Sequence, residues 1–109
     1  MTTTLKVLGQ VAPAATTLTT LYTVPASTSA VCSTLIATNR ATTATTIRVA
    51  VRVAGAAISD KAYIIYDLAV PGSNGHVSTI GVTLATTDVV SVYSASGNVS
   101  FNLFGEEIT

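Results

Sequence analysis

Tryptophan is absent from this 109-residue chain, cysteine and histidine occur once each, and only 9% of residues are charged. An ordinary soluble domain carries about 25% charged residues. With Cys32 alone, no intrachain disulfide framework is possible, and no spaced Cys/His set exists for a structural zinc. His76 is the sole imidazole and no serine sits in a nucleophile-elbow pattern, so a hydrolase triad has no obvious members. The chain therefore reads as no enzyme, with no catalytic, cofactor-binding or metal-ligating residue to assign. Asp60, Asp67 and Asp88 lie beside turns or on a strand, where solvated or hydrogen-bonded roles are usual, so no pair of carboxylates is marked out for glycoside hydrolysis. Gly72 and Gly75 fall in a turn and precede no helix, which excludes a phosphate-cradling loop.

Charge is scarce and balanced. Lys6, Arg40, Arg48, Arg52 and Lys61 meet Asp60, Asp67, Asp88, Glu106 and Glu107 for a net charge of zero. A basic patch for nucleic acid is missing. No apolar run nears the roughly 18 residues of a membrane span, and Met1–Lys6 lacks the charged-then-apolar order of a signal peptide. The expectation is a chain used whole, with neither nucleic acid nor membrane as partner. Disorder is excluded as well, because 49% of residues are hydrophobic.

Threonine and valine dominate what is there, in runs such as Thr42-Thr43-Ala44-Thr45-Thr46 and Val49-Ala50-Val51-Arg52-Val53. β-Branched side chains favour a pleated sheet over a helix. Thr45 to Val53 alternates most clearly, with Ile47, Val49, Val51 and Val53 assigned inward and Arg48, Ala50 and Arg52 outward. Val51→Asp is accordingly expected to abolish folding. In Lys61 to Val70, Ala62, Ile64, Tyr66, Leu68 and Val70 alternate with Tyr63, Ile65, Asp67 and Ala69. Both faces are largely apolar, which leaves one of them for a partner. Pro71-Gly72-Ser73-Asn74-Gly75 is the strongest turn, across which two strands are expected to meet. His76 to Leu84, Val89 to Ser94 and Val99 to Phe104 follow as strands, and Leu5 to Val11, Leu18 to Val24 and Val31 to Thr38 precede them.

About seven or eight short strands without a convincing helix predict an all-β fold, an antiparallel β-sandwich with jelly-roll winding as one form of it. Barrel closure stays open. Residues 1–18, rich in Thr and Ala, read as an N-terminal arm or an edge strand, and residues 19–109 as a single sandwich domain. Cys32 reads as a small buried hydrophobe, His76 as an exposed residue beside a turn, and most of Tyr22, Tyr63, Tyr66 and Tyr93 as core. With so few charges, outward positions fall to Thr, Ser and Ala, and a neutral surface gives copies little mutual repulsion. Such a face suits permanent assembly.

The stretch Leu21-Tyr22-Thr23-Val24-Pro25-Ala26, with Ser29-Ala30-Val31 and Ser33-Thr34-Leu35 to Asn39-Arg40, resembles small virion structural proteins of tailed bacteriophages, cyanophages among them. Ile47-Arg48-Val49-Ala50-Val51, Ala62-Tyr63-Ile64-Ile65-Tyr66-Asp67, Gly81-Val82-Thr83-Leu84, Asp88 to Tyr93 and Ser100 to Gly105 continue the resemblance in the same order. It covers Leu21 to Thr109 and rests on strand and turn patterns. It implies a capsid cement or decoration protein on the outer surface of the virion, with the major capsid protein and copies of itself, as a trimer, for partners. Thr2, Thr3, Thr4, Leu5 and Lys6 are the expected capsid contact, on an arm that lies across a neighbour and orders there. Deleting Met1 to Thr20 is then expected to weaken attachment more than folding. A tail, neck or fibre-associated protein is the alternative, for which Tyr63 and Tyr66 form a candidate exposed binding face. A carbohydrate-binding module is a more remote one.

Overall fold

The β-branched runs become strands, except that Thr42 and Thr43 form the bend that leads into one of them. A computed structural model describes residues 1–109 as β1 (Thr3–Val11), β2 (Thr19–Thr23), β3 (Ser29–Asn39), β4 (Thr45–Arg52), β5 (Tyr63–Val70), β6 (Gly75–Leu84), β7 (Val89–Ser94) and β8 (Val99–Ile108). Two short 3-10 turns, Val53–Gly55 and Asp60–Ala62, are the only helical pieces. The strands form sheet A, ordered β1-β8-β3-β6, and sheet B, ordered β2-β7-β4-β5. The pairs are antiparallel and nested, β1 with β8, β2 with β7, β3 with β6 and β4 with β5. That nesting is jelly-roll winding. The sheets face each other over a core that includes Leu35, Ile47, Val49, Val92, Phe101 and Leu103, all sealed from solvent. Cys32 lies in it too, and burial pushes its thiol up to about 11.

Only β4 and β5 are joined within one sheet; every other connection crosses between layers. The crossing connections are fastened to each other in pairs. Asn39, buried to 1% exposure, donates its amide to the carbonyls of Thr43, Val70 and Pro71 and accepts from the Ala41 N–H. At the other end Asp88 accepts the N–H groups of Ala54 and Ala85, while Thr86 joins Pro25 and Thr28. Buried polar groups are thereby satisfied where the chain leaves the sheets.

The turn Pro71–Gly75 does not make a hairpin. It carries the chain from sheet B to sheet A, so β5 and β6 do not pair. Gly72 packs so tightly on the β3–β4 connection that an added Cβ would run into the Thr42 carbonyl oxygen. In β4, Ile47 and Val49 face the core as expected, but Val51 is only half-buried and Val53 is 69% exposed, because the chain turns out of the sheet there. Val49 therefore takes the place of Val51 as the position where a buried carboxylate would abolish folding. Ala50, assigned outward, is fully covered. In β5 a bulge breaks the alternation, putting Ile65, Leu68 and Val70 inward and leaving Ile64 and Tyr66 exposed. Residues 3–11 are an edge strand and not an arm: β1 pairs along β8, Leu8 is buried, and Thr2 and Thr109 exchange two backbone hydrogen bonds.

Candidate functional site

Of four tyrosines, only Tyr22 is buried. Expecting most of these rings in the core was wrong, because Tyr63, Tyr66 and Tyr93 project from the outer face of sheet B around Arg48. The Arg48 guanidinium carbon lies 4.3 Å from the centroid of Tyr66 and 4.4 Å from that of Tyr93. Asp67 holds it bidentately, Oδ1 accepting from Nε at 2.6 Å and Oδ2 from Nη2 at 3.3 Å. The cause is the β5 bulge, in which Tyr66 and Asp67 together oppose the single residue Arg48, with Asp67 at φ 51°. A bulge re-aims side chains in this way, and Asp tolerates that backbone better than most residues. Tyr63 meets the edge of Tyr66 at 4.9 Å and 81°. Tyr66 remains 59% exposed, and a hollow of about 450 Å³ opens between it, Tyr63 and Asp60. Tyr63 and Tyr66 lie side by side on this face, Tyr66 exposed and Tyr63 half-buried, with an ion pair beneath them that neutralises both charges.

The outer face of sheet A is different in kind. The register turns Leu5, Val7, Val31, Ile36, Phe104 and Val77 outward, among Thr, Ser, Asn and Gln, and Glu106 is the one charged side chain on it. Leu5 is 80% and Val77 63% exposed, and a shallow hollow of about 410 Å³ runs from Leu5 to Phe104. Thr3 shares this face with Leu5; Lys6 points the other way, toward Glu107 at 3.3 Å. Glu107 also accepts the Tyr22 hydroxyl at 2.6 Å. That bond, then Lys6, holds the Glu107 carboxyl below its usual range, while burial and the same bond push the Tyr22 phenol up. Thr2, Thr3, Thr4, Leu5 and Lys6 are all exposed, but as a paired strand.

A third surface is the flank where β5 and β6, edges of opposite sheets, run side by side without pairing. The sandwich is open there. A cleft of about 710 Å³ is lined by Ile65, Leu68, His76, Ser78, Ile80 and Val82, most of them apolar and all half-buried. His76 is not an exposed residue beside a turn: it points into this cleft, its Nε2 2.6 Å from Ser78 Oγ. Asp67, the carboxylate that lines the same cleft, is engaged by Arg48, so no carboxylate orients the imidazole as a triad requires. No group of three or more His, Cys, Asp or Glu is placed to hold a metal ion. Comparison with family models, curated proteins and solved structures returned no match.

Proposed function

We propose that this chain is a structural protein of a bacteriophage particle, a capsid cement protein that binds the outer shell where major capsid protein subunits meet. The observation that carries this reading is the outer face of sheet A, broad, apolar-leaning and bearing Glu106 as its one charge. Covering such a face costs little charge desolvation. The resemblance of Leu21 to Thr109 to virion proteins of tailed phages points the same way. The winding does not, since capsid proteins, lectins and cupins all use it and a fold alone selects no function. Contacts made only on the assembled shell would stabilise it by linkage, without any chemistry. Leu5 and its neighbours would contribute as part of the docking face, not as a separate arm.

The test is the copy number of this chain in purified particles, measured by quantitative mass spectrometry against the major capsid protein. A ratio comparable to the capsid protein is expected. A small multiple of the tail symmetry would instead support the second reading, a tail, neck or fibre-associated protein, which the exposed Tyr63–Tyr66 face favours. Absence from particles would overturn both and return attention to a carbohydrate-binding module, for which aromatic faces are the usual platform.

A further inference from the structure

An asparagine side chain is open to attack by the backbone nitrogen of the next residue, and glycine hinders that attack least because it has no Cβ. Of the chain's four asparagines only Asn74 precedes a glycine; Arg40, Val99 and Leu103 follow the others. The fold separates them further. Asn39 is buried and its amide is fully engaged, while the Asn102 side chain accepts from Gln10. Asn98 is exposed, yet β-branched Val99 crowds the nitrogen that follows it. Asn74 is exposed as well, and the one hydrogen bond of its side chain is the Gly75 N–H donating to Oδ1 at 2.8 Å. Cγ lies one C=O bond of about 1.2 Å beyond Oδ1, hence no more than about 4 Å from the Gly75 nitrogen. Near-attack distances are only slightly shorter.

The sheet leaves that nitrogen free. Asn39 N–H donates to the Asn74 carbonyl, and an antiparallel ladder alternates bonded with unbonded pairs, so the next pair, Thr38 with Gly75, turns its N–H groups away from each other. For Gly75 that direction is the open edge of sheet A. We propose that Asn74 is a site of intramolecular deamidation, with water as the only co-reactant. The Gly75 nitrogen gives its proton to a solvent base and attacks Cγ, closing a succinimide ring. The Cγ–Nδ2 bond breaks and Nδ2 leaves with the electron pair as ammonia. Water then opens the ring at either carbonyl. Cleavage between Cγ and the Gly75 nitrogen gives aspartate on an ordinary main chain, whereas cleavage at the former backbone carbonyl gives isoaspartate, with the main chain rerouted through Cγ. One water is consumed, one ammonia is released, and the balanced charge of the chain becomes net negative.

The two products do not fit the fold equally. The turn is clamped, with Ser73 N–H on the Ala41 carbonyl, Asn39 N–H on the Asn74 carbonyl and Gly72 against Thr42. Aspartate keeps this backbone and offers Gly75 N–H a charged acceptor. Isoaspartate adds a methylene between Ser73 and Gly75 and removes the Asn74 carbonyl from the main chain, so the start of β6 loses its register with β3. The inference rests on this turn alone and is independent of the virion reading.

Incubating the folded full chain in heavy-oxygen water, at neutral and mildly alkaline pH, and mapping its peptides by mass spectrometry tests it. Asn74 is expected to convert to aspartate and isoaspartate carrying solvent oxygen, at least about tenfold faster than Asn98. The rate should climb with pH, because the attacking nitrogen must lose its proton. Asn74→Gln, which would need a larger ring, is expected to lose the reaction and keep the urea midpoint. Once the products are separated by chromatography, the isoaspartate form is expected to lose hydrogen-exchange protection over Gly75–Thr79 and the aspartate form to keep it. An Asn74 that stays intact in the folded chain, whether or not the urea-unfolded chain reacts, or that converts no faster than Asn98, would overturn the site. Unaltered protection in the isoaspartate form would overturn the clamp.

Discussion

Asn39 does more for the fold than its place in a Thr-rich stretch suggests. Its amide ties together two connections and the end of β5, and removing it leaves the carbonyls of Thr43, Val70 and Pro71 short of a donor, that of Val70 at a fully buried residue. Asn39→Ala is expected to cost roughly 2–4 kcal/mol, read as a lower urea midpoint with an unchanged slope. Three titrating groups set the pH limits. Glu107 is held below its unfolded value, so its contribution is present above that value and lost as pH falls through the folded one. Cys32, raised from 9.0 to about 11, and Tyr22, raised above its ordinary 10.0, act in the opposite sense, and their contribution is lost as pH rises from about 9. Urea unfolding across pH is expected to show both limbs. Tyr22→Phe is expected to flatten the acid limb most, because the Tyr22 hydroxyl is the chief cause of the Glu107 shift.

At the scale of elements, all eight strands were legible from alternation and turn residues, to within a few positions at their ends. The faces were less so. A period of two holds only while the ladder is regular, and the bulge at Tyr66–Asp67 shifts the phase of β5 without any residue that announces it. The Tyr–Arg cluster was therefore visible only as two tyrosines, and its partners Arg48, Asp67 and Tyr93 were missed. β7 is buried on both sides because Arg52 reaches over Ser91 and Gly55 packs against Val89, contacts that come from the end of β4 and the turn after it, distant in sequence. The N-terminal segment was underestimated because Leu5–Val11 alternates weakly, yet β8 offers it a full-length partner. Deleting Met1 to Thr20 strips that edge and part of β2. It is expected to lower stability by at least about 3 kcal/mol, seen as a large drop in Tm, and so to impair folding before attachment can be measured.

For the whole molecule, nesting means that the first strand pairs with the last and that only β4 and β5 are neighbours in both sequence and sheet. Loop closure must precede most of the reward. Refolding by stopped-flow dilution is expected in milliseconds to seconds. The β1–β8 pair should gain hydrogen-exchange protection last. The sealed position of Cys32 turns this into something observable without a label, since it is the chain's one thiol and lies on β3 between β6 and β8. A thiol reagent in solution cannot reach it until those strands part. Its reaction rate is thus a built-in clock for breathing of the sandwich, readable on the isolated chain and again inside any assembly the chain joins.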